Sequence, residues 1–145
     1  MKSKPGIYDN VIVCDFKSLY PSIINTFNVD PYSFVPKDKR PEGINQSSNS
    51  KYDKKKYIVT ANGAVFRNEE GIMPQIIKDL WKKRDEAKRK KDAQKSYAIK
   101  IIMNSFYGAI ANPSCRFFNL DVSNAITYSG QEIIKLTTEK VKELG

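Results

Sequence analysis

The spacing of apolar residues changes along the chain, and each change marks an element. Val11, Ile12, Val13 and Cys14, bounded by Asn10 and Asp15, form a short, β-branched, unbroken apolar run. Such a run predicts a buried strand that delivers Asp15 at its carboxyl end. Leu19 and Tyr20 lead into Pro21, a residue suited to the first helical position, and Ile23, Ile24 and Phe27 follow as the apolar face of a short helix. Residues 36–56 turn polar, with Pro41, Gly43 and a Ser/Asn cluster over 45–50, which predicts a mobile surface loop. Tyr57-Ile58-Val59 and Ala64-Val65-Phe66 are separated by a stretch containing Asn62-Gly63, the signature of a hairpin.

After Gly71 the period becomes helical. Met73, Ile77 and Leu80 continue as Arg84 and Lys88 on the same face, which therefore passes from apolar to cationic. A second helix is expected over residues 93–109, with Ala98, Ile102, Ser105 and Ala109 as the packing stripe and Lys100, Asn104 and Tyr107 as a stripe free to contact something. The turn near residues 90–92 has neither glycine nor proline, so one bent helix stays open beside the preferred antiparallel pair. A third helix is expected over residues 122–144, burying Ile126, Ile133, Ile134, Leu136 and Val141, with Gly145 after its end. The fold class is thus α+β.

Composition sharpens the expected partner. The 25 Lys and Arg against 16 Asp and Glu give a net charge of +9. Residues 78–100 alone hold ten basic side chains against Asp79, Asp85, Glu86 and Asp92. A polyanion is the expected partner, although a solvated helix face explains most lysine-rich stretches. The chain has no histidine, which excludes Ser-His and Cys-His schemes and leaves carboxylates, metal ions and cationic clamps. Cys14 and Cys115 have no neighbouring ligand residues and read as reduced thiols. With no long apolar run and no signal-peptide pattern, the expected location is intracellular, in the cytoplasm or at nucleoid or nucleus.

Two strings carry chemistry. The first is Asp15-Phe16-Lys17-Ser18-Leu19-Tyr20-Pro21-Ser22. A carboxylate at a strand's end, followed by a turn whose amides face the same way, can hold Mg²⁺ and cradle a triphosphate. An isolated aspartate in such a place is more often a cap or turn residue. The second runs from Lys100 through Asn104 to Tyr107 and Gly108. Helical geometry sets Lys100, Asn104 and Tyr107 on one side, offering an ammonium, an amide and an aromatic platform within about two turns. On geometry alone an amphipathic helix with chance polar residues is the better reading.

Both strings match motifs of one family. The first fills every fixed position of D-x-x-S-L-Y-P-S, the first polymerase motif of family B (polymerase alpha-like) DNA polymerases. The second fills K-x-x-x-N-S-x-Y-G, the fingers-helix signature of the same family, in the expected order. Between them, Gly71 and Pro74 running on to Arg84 and Lys88 are similar to the preceding fingers helix, and Arg116-Phe117-Phe118 resembles the link to the next palm helix. Ala111 stands where a glycine often follows the Tyr-Gly pair, and Arg84 and Lys100 are closer than in many relatives, so the fingers should be short.

The resemblance implies a partial polymerase palm, a strand-turn-helix plus a long helix, with an antiparallel two-helix fingers hairpin. Residues 1–35 would be palm with the first metal-binding motif, 36–56 a polar loop, 57–70 a hairpin, 71–110 the fingers helices and 111–145 the palm helix. By position, Asp15 would be a catalytic, metal-binding aspartate, with the Phe16 carbonyl as a further ligand. Ser18, Leu19 and Tyr20 would present amides to the β- and γ-phosphates, and the Tyr20 ring would exclude a 2′-hydroxyl. Arg84, Lys88 and Lys100 would clamp the triphosphate near Asn104, with Tyr107 and Gly108 bordering the nascent base pair. The reaction implied is two-metal attack of a primer 3′-hydroxyl on the α-phosphate of a dNTP, with Mg²⁺ ions about 3.5–4 Å apart.

In the family a second aspartate comes from a later Y-G-D-T-D hairpin, which would follow the helix ending near Leu144. The exonuclease would precede residue 1 and the thumb would come last. The expectation is a polymerase fragment that binds primer–template DNA and dNTPs and is inactive until those segments are supplied in cis or by another chain. The alternatives are a non-catalytic nucleotide- or nucleic-acid-binding module derived from a polymerase, and an unrelated basic helical scaffold.

Overall fold

The computed structural model describes residues 5–42, 44 and 53–144. Among them lie four α-helices and a small antiparallel sheet, an α+β arrangement. The first helix, α1 (Leu19–Thr26), starts two residues earlier than the Pro21 signal suggests. Ser18 takes a left-handed conformation (φ 53°), turning the chain so that the Ser22 amide reaches its carbonyl at 2.9 Å. Pro21 is therefore the third helical residue, still inside the first turn, where an amide lacks an intrahelical acceptor. Ile23 and Ile24 on α1 are fully buried.

The hairpin signal holds, with a partner the pattern did not reveal. Strands β1 (Phe34–Val35), β2 (Tyr57–Val59) and β3 (Val65–Arg67) form a sheet in the order β1-β3-β2. β2 and β3 pair with Ile58 opposite Phe66 and Val59 opposite Val65, one residue further along than the Ala64–Phe66 run suggests. Gly63, at φ 76°, makes the turn between them, where a side chain would be strained. Side chains alternate across β3. Phe66 enters the main core with Ile23, Ile24, Met73 and Ile77, whereas Val65 joins Val35 and Ile44 in a separate cluster. Residues 37–39 form one 3-10 turn, so the first part of the expected loop is structured; positions 43 and 45–52 of that loop lie outside the described residues.

Helix α2 (Ile72–Arg89) begins on a lock built from the exit of α1. Asn28 Oδ1 accepts from the Gly71 amide at 2.9 Å, while Asn28 Nδ2 donates to the carbonyls of Arg67 and Glu69. Asp30 Oδ2 accepts from the Ile72 amide at 2.6 Å, supplying the N-terminal cap the helix lacks in its own sequence. A methyl at Gly71 would lie 2.6 Å from that oxygen, so the lock has no room for one. At the far end, Lys91 adopts the left-handed conformation (φ 56°) that glycine usually supplies, and the chain reverses into α3 (Ala93–Ala111). Asp92 caps α3 by accepting from the Lys95 amide. The antiparallel pair is the observed arrangement.

Three expectations need correction. Residues 11–16 form no strand, and Val11, Ile12 and Val13 are exposed, Ile12 at 87%. A strand needs hydrogen-bonded neighbours, and the sheet is assembled elsewhere in the chain. The packing stripe of α3 is Ile99, Met103, Phe106 and Ile110, while Ala98, Ile102 and Ser105 face solvent. The period was right and the phase was off by one residue, about 100° of rotation. Along α4 (Leu120–Leu144), Val122, Ala125 and Ile126 are buried and Ile133 half-buried, but Ile134, Leu136 and Val141 are exposed. Within the described residues α4 packs on α1 and α3, and the exposed Ile134, Leu136 and Val141 all lie in its second half. A turn over 112–119 precedes α4, whose amide at Val122 is capped by Asn119 Oδ1; Gly145 lies outside the described residues.

Candidate active site

The turn into α1 and the facing sides of α2 and α3 enclose an open cleft of about 420 Å³. Asp15, Phe16, Lys17, Ser18, Leu19 and Tyr20 line one wall, and Arg84, Lys100 and Asn104 line the other. Residues separated by up to 89 positions in sequence are brought together because α1 packs on both α2 and α3 around Ile24, Ile77 and Met103.

Arg84 bridges the walls. Its Nη1 donates to Ser18 Oγ at 3.3 Å, and its Nε is buried with no hydrogen-bond partner among the described residues. Such a donor is costly to leave unmet. The Tyr20 ring lies against Tyr107, with centroids 4.9 Å apart. Tyr107 is thereby fixed on the Tyr20 side of α3, and a side chain at Gly108 would meet open space. Lys88 does not line this cleft; it lines a neighbouring one that shares Arg84 and Lys100.

The electrostatics suit a polyanion. Lys17, Arg84 and Lys100 face a single carboxylate, Asp15, which is exposed. Lys17 was no sequence candidate, although it is the one cation inside the first motif. The described residues include no group of three or more His, Cys, Asp or Glu placed to hold a metal ion. Asp15 with neighbouring carbonyls could offer oxygen ligands to one hard cation, with phosphates and water completing the shell. Away from the cleft, Lys78 donates to Glu70 and holds its carboxyl below the usual range, and Glu132 raises the pKa of Lys135. Both cysteines are free thiols, and no helix among the described residues is long and apolar enough to cross a membrane.

Comparison with known proteins identifies a family for the chain. The family model for DNA polymerase family B matches residues 1–144. DNA polymerase II of Escherichia coli K12 is 39% identical over 145 residues, covering 100% of this chain and 17% of that protein. The DNA polymerase of Thermococcus sp. 9oN-7 is 30% identical over 150 residues, covering 95% of the chain and 18% of the relative. The DNA polymerase alpha catalytic subunit of Sterkiella nova is 29% identical over 165 residues, 99% of the chain and 11% of that subunit. The chain thus spans less than a fifth of each of these relatives. With both motif strings facing one cleft and the family match running almost end to end, the chain belongs to DNA polymerase family B.

Proposed function

We propose that this chain is the nucleotide-binding part of a DNA-directed DNA polymerase, acting on primer–template DNA and dNTPs inside the cell together with the remaining segments of a larger enzyme. The observation that carries this reading is the convergence of Asp15, the 16–20 turn, Arg84, Lys100 and Asn104 on one cleft. Asp15 and the Phe16 carbonyl would hold Mg²⁺, which when bound would supply charge neutralisation for the phosphates.

The amides of Ser18, Leu19 and Tyr20 receive the β- and γ-phosphates, and the Tyr20 ring lies under the sugar and excludes a 2′-hydroxyl. Arg84 and Lys100 clamp the triphosphate from the opposite wall, with Asn104 beside them and Lys88 at the far edge. The aromatic pair of Tyr20 and Tyr107 joins the sugar gate to the side of α3 where Tyr107 and Gly108 border the nascent base pair. In the reaction the primer 3′-oxygen bonds to the α-phosphorus, the α–β bridging P–O bond breaks, pyrophosphate departs with its electron pair, and the hydroxyl proton passes to solvent. Positioning and charge neutralisation do this work, which suits a chain without histidine.

Among the described residues Asp15 is the one carboxylate lining the cleft, so a two-metal site would take its second carboxylate from another segment. Primer extension by the chain mixed with a polypeptide carrying an Asp-Thr-Asp hairpin and thumb tests the reading, and extension that requires Asp15 is the expected result. The single carboxylate on the cleft is the observation for the alternative, a non-catalytic binding module. A mixture that binds Mg-dNTP and never extends a primer would establish that module instead.

A further inference from the structure

The tip of the α2–α3 hairpin carries a second cleft, of about 460 Å³. Arg84, Lys88, Lys91, Ser96, Tyr97 and Lys100 line it, and because Arg84 and Lys100 also line the first cleft, the two adjoin at those side chains. Four cations share this space with one carboxylate, Asp92, whose Oδ1 already accepts from the Lys95 amide. Lysines elsewhere, such as Lys78, Lys135 and Lys140, find carboxylate partners. None of the ion pairs among the described residues involves Arg84, Lys88, Lys91 or Lys100. Like charges held around one opening repel unless an anion enters it.

The short hairpin creates this arrangement. α2 ends at Arg89, five residues beyond Arg84, and α3 begins at Ala93, seven before Lys100. At 1.5 Å per residue the turn lies within about 10 Å of the clamp.

We propose that this second cleft binds inorganic pyrophosphate, the product anion, received from the nucleotide cleft across Arg84 and Lys100. The inference rests on the nucleotide reading above. An in-line displacement expels its leaving group away from the attacking oxygen, toward the side held by the clamp. Beyond the clamp, Lys88 and Lys91 supply charge, and the hydroxyls of Ser96 and Tyr97 supply donors for a compact anion's oxygens. Pyrophosphate thus has a place to move without crossing the wall that carries Asp15.

Calorimetric titration of the intact chain with magnesium pyrophosphate, and separately with a Mg-dNTP, provides the test. Lys91 and Tyr97 are exposed, so Lys91→Gln with Tyr97→Phe leaves the helices intact, as circular dichroism will verify. The expected result is a pyrophosphate dissociation constant raised about tenfold in the double variant, with the dNTP constant changed less than about twofold. Absence of pyrophosphate binding by the unaltered chain, or equal affinity in the double variant, overturns the proposal. Loss of duplex DNA affinity in the double variant, with pyrophosphate binding unchanged, also overturns it and assigns the cleft to a nucleic-acid backbone. A dNTP affinity unaffected by Asp15→Asn would instead overturn the nucleotide reading, which keeps the two failures apart.

Discussion

The rings of Tyr20 and Tyr107 meet with centroids 4.9 Å apart and planes tilted by 52°. Tyr20 is the second residue of α1, just after the turn beside Asp15, and Tyr107 lies on the helix that carries Lys100 and Asn104. The contact therefore couples the two walls of the cleft at the position assigned to the sugar.

Removing either ring should loosen that position. In a full-length polymerase that carries this chain, Tyr20→Ala is expected to lower discrimination against ribonucleotides about tenfold or more, the scale of a lost pocket contact. Tyr107→Ala should produce a smaller loss in the same direction. In chemical denaturation of the chain, a double-mutant cycle on the pair should return a coupling of about 1 kcal/mol, as for other aromatic pairs. Additive effects on both readouts would show that the contact does not hold the gate.

Lys100 lines both clefts without an ion-pair partner among the described residues, so its charge is available to phosphate. Lys100→Ala should raise the dissociation constant for a Mg-dNTP by roughly tenfold to a hundredfold, a few kcal/mol at most. Raising the ionic strength should weaken binding less in this variant than in the unaltered chain. Equal affinity in the two proteins would remove Lys100 from the clamp.

The phase of α3 makes a stability prediction that needs no catalytic assay. Met103 is buried and its neighbour Ile102 is about half exposed. Met103→Ala should cost about 2–5 kcal/mol, because it opens a cavity in the core cluster to which Ile24, Ile77 and Ile126 also belong. Ile102→Ala should change stability by about 0.5 kcal/mol or less in the isolated chain. Urea unfolding of both variants distinguishes this packing from the opposite one.

The lock at the base of α2 should be equally sensitive. Gly71→Ala places a methyl 2.6 Å from Asp30 Oδ2, and overpacking of this kind costs about 1–3 kcal/mol. Asp30→Ala removes the cap from the Ile72 amide and should cost about 0.5–2 kcal/mol. Once the Asp30 side chain is gone the methyl has space, so the double variant should be less destabilised than the two costs added together. Strict additivity, measured by thermal unfolding, would place the strain elsewhere.

Local pattern by itself determined the helical period of α2 and α3, the Asn62-Gly63 hairpin, the two motif strings with Asp15, Lys100 and Asn104, and Arg84 on the helix between them. Periodicity and turn chemistry act over a few residues, so they are written in the order of the chain. Tertiary structure decided the phase of α3, where Met103 and not Ile102 packs, because a one-residue shift leaves the period unchanged while the neighbouring helix selects the face. It also decided that Val11, Ile12 and Val13 remain exposed, since a strand is defined by a partner and not by its own composition. The lock of Asn28 on Gly71 and of Asp30 on Ile72, and the meeting of Ser18 with Arg84, join residues more than forty positions apart. Contacts across that separation depend on how α1 seats against α2, and only the packed core fixes that.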